Sequence, residues 1–190
     1  TNVSFAPGST ISVISNRAFF GSNITSMHIP NTITIIDVFA FAYCDRLEEV
    51  SFEEGSSLYQ VNEGAFYGCV ELKEIYLPQT CVEVGAYAFY SCGYLTEDVI
   101  KYSKVNEIGK YAFANTNIKT LDLKIIKIDE YAFSNCLNLE EITINGYENK
   151  YNQILENAFY GCNNMTTLTL PKATTIGQYS FYVCRNLETI

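Results

Sequence analysis

The chain has 190 residues, with 21 acidic against 12 basic side chains, one histidine and a formal net charge of −9. Charge of that sign excludes a nucleic-acid binder, which needs a basic face to displace counterions, and disfavours electrostatic docking on an anionic membrane. At 48% hydrophobic and 14% aromatic the chain is no disordered tail, since it has ample apolar surface to offset chain entropy.

No stretch approaches the roughly 20 apolar residues of a membrane span. The richest run, Ile33 to Phe41, is broken by Asp37. Residues 1–10 carry neither the basic start nor the apolar centre of a signal peptide.

Along the chain an Ala-Phe pair recurs: Ala18-Phe19, Ala40-Phe41, Ala65-Phe66, Ala88-Phe89, Ala112-Phe113, Ala132-Phe133 and Ala158-Phe159, with Ser180-Phe181 as a variant. Successive Phe spacings are 22, 25, 23, 24, 20, 26 and 22. The period is about 23, inside the range of leucine-rich repeats.

Each unit contains the same elements in the same order. First comes an alternating apolar pair: Met27/Ile29, Val50/Phe52, Ile75/Leu77, Leu121/Leu123, Ile142/Ile144 and Leu168/Leu170. Alternation at period two predicts a strand with one buried face. Pro30, Pro78 and Pro171 stop such strands, because proline cannot donate to the ladder. A second extended segment follows, and five residues before each Phe it carries an aliphatic: Ile14, Ile36, Val61, Val84, Ile108, Ile128, Ile154 and Ile176. The next position is a turn or cap former in seven units: Ser15, Asp37, Asn62, Gly85, Gly109, Asp129 and Gly177. Glu63, Glu130 and Glu156 stand in the same segment, where the start of a helix favours negative charge. The Ala-Phe pair is therefore expected on a helical turn one or two turns long. Beyond it lie Leu47, Leu72, Leu95, Leu139, Met165 and Leu187, six residues after the Phe, with Ile24 and Ile118 at five. The fourth unit departs from this pattern. Asp98 falls where an apolar residue is expected, which predicts a one-residue slip or bulge near 98–102.

One unit cannot bury its own apolar series, so the units must stack. The predicted fold is α/β: a leucine-rich-repeat solenoid, mostly β, with a parallel sheet on one face and short helical turns. Residues 1–190 form one array of about eight coils. The chain is expected to be an excerpt of a longer array, because residues 3–9 match Val50 to Ser56 and residues 185–190 stop as a further strand begins.

The pattern I/V-G-x-Y-A-F-x-x-C-x-x-L-x-x-I-x-L-P appears as VGAYAFYSCGYL, IDEYAFSNCLNLEEITI and IGQYSFYVCRNLETI. It resembles the BspA-like class of leucine-rich repeats, found in surface proteins of bacteria and of some parasitic protists. The resemblance covers nearly the whole chain. Its departures are the missing Cys in the first and fifth units and the irregular fourth strand. It implies an extracellular, cell-surface location and binding of host or neighbouring-cell ligands. It supplies no catalytic residues, and its motif does not specify which residues touch a ligand.

Six of the seven cysteines, Cys44, Cys69, Cys92, Cys136, Cys162 and Cys184, stand three residues after the Phe, and Cys81 takes an aliphatic slot. A Cys at one phase of every coil reads as a buried small hydrophobe. Neighbouring coils would bring the Cα atoms to about 4.8 Å, within disulfide range, but parallel side chains pointing inward do not face one another. A free ladder is the favoured reading, with adjacent disulfides or a metal site as alternatives. There is no C-x-x-C pair, no calcium loop and no phosphate-binding loop, and no cofactor is expected. His28 points away from the core, and no Ser/His/Asp or Cys/His constellation forms around it. The 15 tyrosines include Tyr87, Tyr111, Tyr131 and Tyr179 two before the Phe, and Tyr67, Tyr90, Tyr160 and Tyr182 one after it. They read either as stacked rings covering the coil edges or as a row for protein or glycan contact, and the sequence does not separate the two. Three sequons begin at Asn2, Asn23 and Asn164, with chance occurrence as the default.

The function expected is a non-catalytic interaction module that mediates adhesion or macromolecular binding through outward strand residues. The candidate contacts are Glu49, Glu74, Tyr76, Asp122, Glu141, Thr143, Thr167 and Thr169, flanked by Ser26, His28, Ser51, Glu53, Thr120 and Lys124. Successive strands are expected to form one continuous platform, whereas coil lengths of 20 to 26 are expected to break registry on the turn side. The expected partner is a host or neighbouring-cell protein or glycan, with no nucleic acid and no membrane insertion. The alternative is a structural stalk that holds another domain away from a surface.

Overall fold

The computed structural model describes residues 2–3, 5–6, 8–146, 152–170 and 174–188. In chain order the strands are β1 (Asn2–Val3), β2 (Val13–Ile14), β3 (Ser26–Ile29), β4 (Ile35–Ile36), β5 (Glu49–Phe52), β6 (Gln60–Val61), β7 (Glu74–Ile75) and β8 (Glu83–Val84). They continue as β9 (Glu107–Ile108), β10 (Thr120–Lys124), β11 (Lys127–Ile128), β12 (Glu141–Asn145), β13 (Asn152–Ile154), β14 (Thr167–Thr169) and β15 (Thr174–Ile176). Every pairing is parallel and joins corresponding positions one repeat apart, as in Met27 with Val50 and Ile36 with Val61. The molecule is the expected parallel solenoid.

Two sheets form the walls. One runs unbroken through eight strands, β15-β13-β11-β9-β8-β6-β4-β2. The other is in two pieces, β1-β3-β5-β7 and β10-β12-β14. Between them the inward residues of every coil make one continuous core. The anchor rings stack along its axis from Phe19 through Phe181, with centroids 5.1 to 5.3 Å apart and planes within 9° of parallel. Burying each such ring contributes about 1.5–3 kcal/mol of transfer free energy. Pro30 directly follows β3, Pro78 lies beyond the end of β7, and Pro171 is outside the described residues.

The Ala-Phe segment is not helical. It is a run of turns with two left-handed residues per coil, two before and two after the Phe. In the coil of Phe113 these are Tyr111 (φ 56) and Asn115 (φ 61), and in that of Phe66 they are Gly64 (φ 59) and Gly68 (φ 68). The hydrogen bonds explain the choice. Phe41 N–H donates to Ala65 O of the next coil at 2.7 Å, whereas Ala42 N–H donates back to Phe39 O at 3.2 Å. A helix would spend every N–H within its own coil. With φ reversed at those two residues of each coil, every second N–H turns towards the neighbour, as Phe39, Phe41 and Tyr43 do towards Glu63, Ala65 and Tyr67, so the turns become a third hydrogen-bonded wall.

The fourth unit is not a bulged strand. Glu97–Val99 forms a 3-10 turn, and the first sheet stops there. Winding the chain at this point turns Asp98 outward to pair with Lys101 at 3.0 Å and brings Val99 and Ile100 into the core. Leu77 N–H still reaches Val99 O at 2.8 Å, which ties the turn to the preceding coil.

The expected registry is reversed as well. From five residues before the Phe to the apolar residue after it, the units keep nearly constant length, so the 20-to-26 variation falls on the strands and loops of the first sheet. The turn side and the second sheet stay in register throughout.

Candidate functional site

Alternation along the strands turns the side chains next to each buried residue outward, and this places the candidate residues on the surface of the first sheet. Glu49 and Glu74 are register partners on β5 and β7, and both are exposed. Tyr76, just beyond β7, is 48% exposed. Around them Ser51 shares a 3.0 Å hydrogen bond with His28 Nδ1. Glu53 accepts from Asn31 N–H at 2.9 Å, and Lys73 pairs with Glu48 at 2.6 Å.

On the second piece of the sheet, Asp122 lies opposite Thr143, and Thr143 opposite Thr169. Glu141 lies opposite Thr167. Asp122, Glu141 and Thr169 are exposed, and Thr143 and Thr167 are half-buried. Asp122 accepts from the side-chain amide of Asn145 at 2.6 Å. The eight candidates therefore fall into two groups, Glu49, Glu74 and Tyr76 on one piece and the other five on the second. The expected single platform is divided by the 3-10 turn.

On the turn side the aromatic rings touch from coil to coil. Phe20 meets Tyr43 at 5.4 Å, Tyr43 meets Tyr67 at 5.3 Å and Tyr67 stacks on Tyr90 at 5.0 Å. Tyr87, Tyr111 and Tyr131 form a second stack, at 5.0 and 4.7 Å. Stacked rings cover one another's faces, so most of this row is half-buried packing, the first of the two readings above. Phe20 and Tyr43 extend the row. Phe20 stands one residue after its anchor Phe, the phase of Tyr67 and Tyr90, so the repeat already marked its place, whereas Tyr43 stands two after Phe41, where no other unit carries an aromatic residue.

All seven cysteines are free; six are buried and Cys184 is partly so. The thiol of Cys92 donates to Phe66 O at 3.1 Å and that of Cys136 to Phe113 O at 3.2 Å, each carbonyl one coil earlier. Where the fifth unit lacks the Cys, buried Thr116 hydrogen-bonds Phe113 O at 2.8 Å and contacts Cys136 Sγ at 3.3 Å. Desolvation pushes Cys44 up to about 11 and Cys81 up to about 12. These thiols stay protonated, so they are poor nucleophiles and poor metal ligands. Among the described residues no group of three or more His, Cys, Asp or Glu side chains could hold a metal ion. None of the helices among them is long and apolar enough to cross a membrane.

The family model described as "BspA type Leucine rich repeat region (6 copies)" matches residues 12–140 and 106–190. Three solved structures are similar in fold. A leucine-rich repeat protein of T. pallidum shares 21% identity over 96% of this chain and 74% of its own, with a TM-score of 0.63. One from Eubacterium ventriosum shares 23% over 85% of this chain and 43% of its own, with a TM-score of 0.67. The pneumococcal vaccine antigen PcpA shares 22% over 92% of this chain and 56% of its own, with a TM-score of 0.56. The chain thus spans about half the length of the latter two. No curated protein matches the sequence. The chain belongs to the BspA type leucine-rich repeat family.

Proposed function

We propose that this member of the family is a non-catalytic, cell-surface interaction module that binds a host or neighbouring-cell protein or glycan through the outward side chains of its first sheet. The observation that carries this reading is the pairing of Glu49 with Glu74. Parallel register sets two exposed carboxylates side by side, an arrangement that costs folding stability and that a partner's donors or cations would reward. Tyr76 beside them supplies an amphipathic ring suited to contact. A scaffold held by a stacked core and three hydrogen-bonded walls needs little ordering on association.

The test is saturable binding of the isolated array to host-cell and matrix proteins and to glycans. Replacing Glu49, Glu74 and Tyr76 together examines one piece of the sheet, and replacing Asp122 and Glu141 examines the other. Loss of binding in at least one set, with the thermal transition retained, supports the reading. Normal binding in both sets, with loss on changing Tyr87, Tyr111 and Tyr131 in a folded array, moves the site to the turn side. No saturable binding at all favours the stalk.

A further inference from the structure

Where the fourth coil gives up its strand, the next strand loses a neighbour. β10 pairs with β12 and with no other strand among the described residues. Lys119 O accepts from Glu141 N–H at 3.4 Å, and Ile125 N–H donates to Asn145 O at 3.3 Å. The odd-numbered backbone groups thus face β12, and by alternation those of Thr120 and Asp122 face the preceding coil. Among the described residues no backbone hydrogen bond joins residues 97–103 to Thr120 or Asp122.

Two adjoining clefts of about 330 and 370 Å³ lie along this edge and share Ile100, Lys101, Asp122 and Leu123. Core residues show through the larger one. Val105, Ile100 and Leu123 are 7%, 6% and 6% exposed, the highest values of any buried apolar side chain among the described residues. Lys101, Lys104 and Lys124 also line it, against Asp122 as its one carboxylate. Glu97 and Asp98 line the smaller cleft, and Lys101 pairs with Asp98 at 3.0 Å, so the edge is acidic at its Glu97 end and basic at its Lys104 end.

We propose that the free edge of β10 is a strand-addition site for an extended segment of a protein partner, with apolar side chains at alternate positions and an acidic end. The segment's main chain pairs with the backbone groups of Thr120 and Asp122, its apolar side chains cover Ile100, Val105 and Leu123, and its acidic end meets Lys101, Lys104 and Lys124. Edge pairing draws affinity from main-chain hydrogen bonds and specificity from pockets for alternate side chains. The site uses backbone groups in a gap rather than outward side chains of the sheet, so it does not depend on the function proposed above.

The probe is a short fluorescein-labelled peptide of alternating Val and Thr ending in three acidic residues, compared with one ending in three lysines. The acidic peptide should bind saturably in anisotropy measurements, slow amide exchange within residues 120–124, and bind at least about tenfold more tightly than the basic one. Asp122→Pro removes an N–H that lies outside the β10–β12 ladder, a place where proline is tolerated, and should abolish binding. The double variant Lys101→Glu, Lys104→Glu leaves the backbone intact and should weaken binding about tenfold; it decides the question if Asp122→Pro does not fold. Glu49→Gln with Glu74→Gln should leave peptide binding unchanged, which separates this site from the sheet surface. Equal binding of the two peptides, or binding indifferent to the lysine reversals, overturns the proposal. So does edge protection that appears without peptide as the array is concentrated, because the occupant is then a second copy.

Discussion

The carbonyl oxygen of Phe41 accepts two hydrogen bonds, one from Cys44 N–H of its own coil at 3.1 Å and one from the thiol of Cys69 in the next coil at 3.0 Å. The thiol therefore does more than fill space. It occupies the second lone pair of a buried carbonyl and links coils on the side where no strand does so.

Thiol titration should find seven reactive groups in the denatured array. In the native array reaction should be nearly absent, with Cys184, the one partly exposed cysteine, reacting first. Two or fewer free thiols after denaturation would mean that the ladder is cross-linked.

Alkaline pH should destabilise the array. Burial raises Cys44 and Cys136 from 9.0 to about 11 and Cys81 to about 12. Unfolded thiols ionise first, so this contribution is complete below pH 9 and is lost as pH rises through about 11 to 12. Urea midpoints between pH 8 and pH 11 should fall, and less steeply in Cys81→Val, which removes one of the titrating groups. An unchanged slope in that variant would mean that Cys81 is ionised in the native array.

Phe113 is fully buried and stacked between Phe89 at 5.2 Å and Phe133 at 5.3 Å. Phe113→Ala should cost about 3–5 kcal/mol in urea unfolding, the range for deleting a buried ring. A loss under 1 kcal/mol would require the two neighbouring coils to close over the gap.

Two glycines should respond in opposite directions. A Cβ on Gly109 would sit 2.5 Å from Ala86 N and 2.6 Å from Gly85 C, both backbone atoms of the preceding coil. Gly109→Ala should therefore destabilise by about 1–3 kcal/mol through overpacking. At Gly93 nothing lies within 4 Å, so Gly93→Ala should gain about 0.4–1 kcal/mol by restricting the unfolded chain. Thermal melts of the two variants check the sign of each change.

Relieving the Glu49–Glu74 pair should raise stability. Glu74→Gln should gain about 0.2–1 kcal/mol at low salt, and the gain should shrink as ionic strength rises. The same variant should weaken any binding through that piece of the sheet. Stability unchanged at every salt concentration would show that the two carboxylates do not repel.

The period, the inward positions, the paired extended segments and the phase of the cysteines were all legible in the sequence. Burial follows side-chain direction, and repetition shows that direction eight times over, in Ile36 as in Ile108 and Ile128. The backbone between those positions was not legible. Ala-Phe flanked by Gly and acidic residues suits a helical turn as well as a chain of turns. Only the neighbouring coil, whose Ala65 carbonyl takes the Phe41 N–H, decides between them. The same holds at Asp98: its sequence announced an irregularity, but whether the strand bulges or gives way to a 3-10 turn depends on how Val99 and Ile100 reach the core beneath Leu77. The free edge of β10 follows from that choice. Hydrogen bonds between coils join residues about twenty or more positions apart, such as Phe113 and Ala132, and a local pattern carries no record of them. Periodicity therefore determined what is buried, and tertiary contact decided which backbone groups are paired and which are left open to a partner.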